Sequence, residues 1–248
     1  MIVFATAALA FLRLHPVAST VTRLAGLGAG VMLWGGLVML GWRRRVLRAA
    51  LLLLPVVLAA PFCLPARLIH PLRLRTDMMG RLRALEGVLY VWGGESARGI
   101  DCSGLPRKAL RDALFAEGLR TGNGGALRQA LSLWWHDASA RALGEGYCGL
   151  TVPLGVTGKI NTMDVSALLP GDLAFTRSGA HVLVYFGDGK WIQADPGPAA
   201  WFFCTGGTTE TNGSAPRCRS TAGRFFIFMR TATARWPGFA TGNSPRHL

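Results

Sequence analysis

The 19 residues Leu24–Trp42 contain no charged side chain, and after the triplet Arg43-Arg44-Arg45 a second apolar run, Val46–Ile69, carries only Arg48 and Arg67, both near its ends. A bilayer core takes roughly 20 helical residues. Neither run has the polar face that a helix packed on a water-soluble core keeps. The two runs are therefore predicted to be transmembrane helices, the second less regular because of Pro55, Pro61 and Pro65. Met1–Leu12 is also apolar but short, and either joins a third helix or lies in the membrane interface, so the anchor has two or three spans. It has no basic residue ahead of its apolar stretch and no clear small-x-small site, so a cleaved signal peptide is not expected.

Charge divides the chain in the same place. Residues 1–76 hold nine of the 27 basic residues and none of the 13 acidic ones, so the net charge of +14 belongs mostly to the N-terminal third. The Arg43-Arg44-Arg45 turn is placed in the cytoplasm by the positive-inside rule, which puts the segment after the second run on the outer face. Arg67, Arg73, Arg75, Arg81 and Arg83 argue the other way unless they contact anionic headgroups, which is the reading adopted. The expected location is the plasma (inner) membrane, multi-pass, with the following domain on the periplasmic or extracellular face. No aromatic-basic pattern accompanies the charge, so no nucleic-acid partner is expected, and nothing specifies a protein partner.

The predicted organisation is a membrane anchor over 1–65, a basic connector over 66–77, a catalytic domain over 78–235 and a loose Gly/Pro/Ser-rich tail over 236–248. Within the domain, Met78–Leu89 reads as an amphipathic helix, Ser103–Glu117 as a helix ended by Gly118, and Ala126–Trp135 as a further helix; Asp137–Leu143 is a weaker helical pattern and Gly144–Val165 reads as irregular. Short apolar strands follow at Asp172–Thr176, His181–Phe186, Trp191–Ala194 and Arg224–Met229, with a hairpin signal at Asp188-Gly189. Helices first and an antiparallel meander after them predict an α+β domain.

Two stretches carry the chemistry. In YVWGGESARGIDCSGL, residues 90–105, Cys102 follows Asp101 at the expected start of a helix. In PGDLAFTRSGAHVLVYFGDGKWIQADP, residues 170–196, His181 opens a strand and Gln193 follows on the next one. A helix N-terminus favours thiolate over thiol, Asp101 is a natural cap, and N–H groups at the helix start are candidates for an oxyanion hole. His181 is the candidate base, its ring directed to Cys102 while Val182, Val184 and Phe186 face the other way. A plain two-residue turn at Asp188-Gly189 would put Gln193 on the opposite face, so a His181–Gln193 pair requires a longer loop or a bulge. A cysteine, a histidine and an amide orienter are the parts of a thiol hydrolase, and no metal or organic cofactor is implied.

The segments YVWGG–GIDCSGL, PGDLAF and HVLVYFGDGKWIQ, in this order, resemble the NlpC-type family of bacterial cell-wall cysteine peptidases over residues 78–230. The resemblance implies a papain-like domain with its N-terminal helices packed on an antiparallel sheet. It also implies cleavage of peptidoglycan stem peptides between γ-D-glutamyl and a diamino acid. It makes Cys102 the nucleophile, His181 the base and Gln193 the third polar residue, with Tyr90, Asp101 and Ser103 lining substrate subsites. Tyr90 is otherwise a core aromatic beside Trp92, and Asp101 a plain helix cap, a role compatible with the first.

Three departures from the family pattern stand out. Pro106 replaces an aliphatic residue and removes a backbone donor just inside the helix. Gln193 stands where histidine is common. The stretch between Cys102 and Asp172 is long and contains LSLWWHD, residues 131–137, read either as a lid over the cleft or as packing and interface anchoring by Trp134 and Trp135; His136 with Asp137 is a rival base or a solvated pair. Of the five cysteines, Cys204 and Cys218 flank a Gly/Thr/Ser-rich stretch and are a possible disulfide if the domain is exported. The readings kept beside a peptidoglycan endopeptidase are an amidase or acyltransferase on another amide or lipid, and a catalytically inactive cell-wall-binding module.

Overall fold

A computed structural model describes residues 2–196, 201–205 and 226–231, the strand 201–205 and Thr231 by their backbone. The predicted tail and the Cys204–Cys218 pairing lie outside the residues whose side chains are described.

The apolar N-terminal third is helical throughout. Helix α1 (Ile2–Leu14) packs along α2 (Thr20–Gly41), which turns at Trp42–Arg44 into α3 (Arg45–Cys63). Both α2 and α3 are long and apolar enough to cross a membrane. Helix α3 has no buried residue. Ser19 caps α2 reciprocally with Thr22, each side chain accepting the other's backbone N–H.

Helix α4 (Pro71–Arg83) begins earlier than predicted and takes in half of the expected connector. Pro71 sits at its first turn, where a missing N–H costs nothing. Leu74, Met78, Leu82 and, just beyond the helix, Leu85 form the buried stripe. The strands β1 (Glu95–Ser96) and β2 (Gly99–Ile100) form a small ribbon ahead of α5 (Gly104–Thr121). Gly118 does not end α5. It lies inside it, where an added Cβ would stand 2.6 Å from Leu127 Cγ, so its lack of a side chain sets how closely α6 (Gly124–Trp135) packs. The helix ends at Gly122, left-handed at φ 62°. Leu131–Trp135 belongs to α6 and is not a lid. The short α7 (Ala140–Gly144) follows.

The six-stranded antiparallel sheet has the order β3 (Thr151–Gly158), β8 (Phe226–Thr231), β4 (Leu173–Thr176), β5 (Val182–Gly187), β6 (Lys190–Ala194), β7 (Trp201–Thr205). Strand β3 lies in the region read as irregular. Pro153 and Gly155 mask its pattern, and its ladder with β8 breaks register between Pro153 and Thr157. One face of the sheet packs on the helices through Leu173, Phe175, Val182, Val184, Ile192 and Met229. The other face is filled by its own Tyr185, Trp191, Phe226 and Phe228 and covered by Ile160, Met163 and Leu168.

The N-terminal helices are not a separate body. Their α1–α2 loop bonds to the domain through Ala18 N–H and the Gly93 carbonyl (2.9 Å) and a bridge between Val17 and Gly94. Arg23 of α2 reaches Glu95 Oε2 (3.0 Å) and the Trp135 carbonyl (3.1 Å). At the end of α3, Arg128 donates to the carbonyls of Phe62 and Leu64.

Candidate active site

Asp101 organises the thiol. Its Oδ1 accepts from the backbone N–H groups of Ser103 (2.9 Å) and Gly104 (2.6 Å) and from the Ser103 hydroxyl (2.9 Å). Its Oδ2 accepts from Gly93 N–H (2.9 Å), and its carbonyl takes the first helical bond from Leu105 (3.1 Å). Asp101 is thus the effective cap of the helix and a tie to the Gly93-Gly94 turn, with Cys102 in the first turn. Gly104 follows because a Cβ there would collide with the Gly94 carbonyl oxygen. Pro106 fits two residues further on, buried and within the first turns.

Cys102 is 7 % exposed and belongs to the core cluster that includes Val182 and Val184. Those two valines therefore do not face away from it, as the sequence had suggested. The nearby backbone N–H groups of Val182, the first residue of β5, of Ser103 and of Cys102 itself favour the charged form of the thiol. These contacts pull its pKa down, as the helix start predicts, but do not prevail. Burial, with the Asp101 carboxylate adding to it, pushes the thiol up to about 11. The N–H groups of Ser103 and Gly104 at the helix start are held by Asp101.

His181 immediately precedes Val182, which shares the core cluster of Cys102. Its backbone N–H donates to Thr176 Oγ1 (3.1 Å) and its carbonyl accepts from Thr176 N–H (3.0 Å). Its Nε2 lies 2.8 Å from Gln193 Oε1. An amide oxygen only accepts, so Nε2 carries the proton and Nδ1 is left as the acceptor. Gln193 is fully buried. The pairing exists because β5 and β6 are bulged between Tyr185 and Gly187, with Asp188 (φ 52°) and Gly189 (φ 69°) forming the tight turn.

Tyr90 is half-buried, packs against the helix-side core, and has its hydroxyl pushed up to about 12 by burial and by nearby Cys102, Asp101 and Asp195. Asp195, two residues beyond Gln193, is thus a member of this neighbourhood that the motif reading did not single out. Ser103 is buried with its hydroxyl bonded to Asp101. The rival pair separates: His136 Nδ1 lies on the Ser132 carbonyl (3.0 Å), and Asp137 pairs with Arg107 (2.7 Å).

A second polar group, also missed, stands behind this wall. Glu95 is buried and accepts from Arg23, Arg107 (3.3 Å) and Arg111 (2.8 Å). Burial pushes its carboxyl up while the three guanidinium groups pull it back. Among the described residues no group of three or more His, Cys, Asp or Glu side chains is placed to hold a metal.

The model of the NlpC/P60 family matches residues 87–199, a span that includes the thiol, His181, Gln193 and Asp195. No curated protein matches the chain.

Proposed function

We propose that this chain, whose residues 87–199 match the model of the NlpC/P60 family, is a membrane-anchored cysteine hydrolase that opens an amide bond in peptidoglycan stem peptides. Cys102 Sγ attacks the amide carbonyl, and its proton passes to His181 Nδ1. His181 returns that proton to the leaving amine, and water then releases the acyl group from sulfur, regenerating the thiol. Gln193 fixes the tautomer that makes this possible, and Tyr90 and Asp195 border the substrate. The observation that carries this reading is the 2.8 Å bond between His181 Nε2 and Gln193 Oε1, with His181 next in sequence to Val182, which shares a core cluster with the Cys102 thiol.

The anchor is read as α2 and α3 crossing the bilayer with α1 packed beside them. The Arg43-Arg44-Arg45 turn lies at the end of the hairpin away from the domain, about 30 Å along α2 from Arg23. That arrangement supports a cytoplasmic turn and an extracytoplasmic domain. The test uses the full chain in detergent with peptidoglycan and defined stem peptides, products read by mass spectrometry, and Cys102→Ala as control. Cleavage that vanishes in the variant identifies the bond. Absence of cleavage from folded protein whose Cys102 also resists alkylation refutes the hydrolase in favour of a binding module.

A further inference from the structure

A cavity of about 360 Å³ lies where α1 and α2 meet the domain, within the size range of sites for small ligands. One wall is apolar: Leu9 and Leu12 from α1, Leu27 from α2 and the ring of Trp134. The other is basic, with Arg13, Arg23 and Arg111 against a single acid, Glu95, which also receives Arg107. Arg23 is 95 % buried. Its Nη groups are bonded to Glu95 and Trp135, but its Nε–H has no acceptor among the described residues. A buried donor left without an acceptor is unfavourable, and the residue that carries it lines this cavity.

We propose that this cavity binds an anionic amphiphile, a phosphate-bearing lipid whose headgroup meets Arg23 and Arg13 and whose chain lies along Leu9, Leu12 and Leu27. The apolar wall decides for a lipid over a free anion. It is built from the two helices that run on into the apolar anchor, so an acyl chain passes from bilayer to cavity without crossing water. The site does not depend on the thiol chemistry, and Cys102→Ala protein serves equally well to test it. The α1–α2 loop that roofs the cavity bonds to Gly93 through Ala18, and Gly93 bonds to Asp101, so the bound lipid sits two hydrogen bonds from the residue preceding Cys102.

The experiment reconstitutes the full chain into vesicles of equal parts phosphatidylglycerol and phosphatidylcholine with matched chains, then counts the lipids retained on the released protein by native mass spectrometry. The expected result is selective retention of one phosphatidylglycerol, reduced about tenfold by Arg13→Gln, equivalent to roughly 1.4 kcal/mol. Gly26→Leu is expected to abolish retention while keeping every charge, since Gly26 lines the cavity and a Cβ there meets only Leu12, at 3.7 Å. Arg13 is exposed, so its variant does not disturb the core. Equal retention of both lipids, retention unaffected by both variants, or stabilisation by inorganic phosphate alone would overturn the proposal. Protein that does not float with the vesicles refutes the anchor, whereas protein that floats but retains no phosphatidylglycerol refutes the site.

Discussion

Replacing His181 by alanine tests whether the buried thiol depends on a neighbouring base. Burial and Asp101 hold Cys102 at about 11, so by simple ionisation its thiolate fraction at pH 7 is roughly 10⁻⁴, one decade for each pH unit below the pKa. An ordinary thiol, with a pKa of about 8.5, is roughly 3 % ionised at the same pH. Without a base, Cys102 is therefore expected to be a few hundredfold poorer in thiolate than an ordinary cysteine. With His181 accepting its proton, reactivity extends to neutral and mildly acidic pH.

The assay is iodoacetamide labelling of the full chain across pH 5.5–10, followed peptide by peptide by mass spectrometry. The exposed Cys63 and Cys148 serve as internal references. In the wild type the Cys102 rate relative to these references is expected to plateau on the acid side. In His181→Ala it is expected to fall by about two decades at pH 7 and to climb tenfold per pH unit up to about 11. The comparison is between variants, so the low exposure of Cys102 cancels. An unchanged Cys102 profile in His181→Ala would refute the reasoning, because the thiol would then ionise without the imidazole.

Gln193→Leu leaves the His181 Nε2–H without its acceptor in a fully buried position, and kcat is expected to fall about 10–100-fold with the chain still folded; Gln193→His, which restores an acceptor, should recover most of the rate in the same peptide assay. Asp101→Ala removes the cap of the nucleophile helix and the tie to Gly93, and should lower stability by about 1–2 kcal/mol in thermal or denaturant unfolding; an unchanged midpoint would contradict the capping role. Truncation at Asp77 cuts α4 after Leu74 and discards Ile69, both core residues, together with the Arg23–Glu95 pair. That fragment is expected to be less stable than the full chain by several kcal/mol, read as loss of a cooperative melting transition, and a fragment melting with the full chain would show that the anchor contributes nothing to the domain.

Elements with a strong local signature were legible in the chain. The strands β4, β5 and β6 and the helices α5 and α6 sit within a few residues of their predicted places, since alternation, apolar stripes and the Asp-Gly turn are local signals. Where tertiary contact decides, local reading failed. Gly118 read as a helix stop because glycine is a poor helix former, yet the residue that matters at that position is Leu127 on the neighbouring helix. Strand β3 exists because β8, some 75 residues later, supplies its ladder. The same holds for Arg23, an isolated charge ahead of an apolar run until Glu95, 72 residues away, gives it a partner.

The candidate site shows the same division with one reversal of sign. The motifs brought out Cys102, His181 and Gln193, and the face argument required the bulge that β5 carries at Tyr185–Gly187. The helix start, however, is a feature that favours thiolate. Its N–H groups do act in that direction, but that of Ser103 is also bonded to Asp101, the carboxylate that builds the turn, and the same carboxylate repels a thiolate. A capping aspartate next to a nucleophile thus trades acidity for position. With burial added, the sulfur is pushed toward the protonated thiol, so in the proposed mechanism reactivity at neutral pH comes from proton transfer to a held imidazole. A fixed tautomer is then a requirement of that mechanism, and the fully buried glutamine on the next strand offers the acceptor that fixes it.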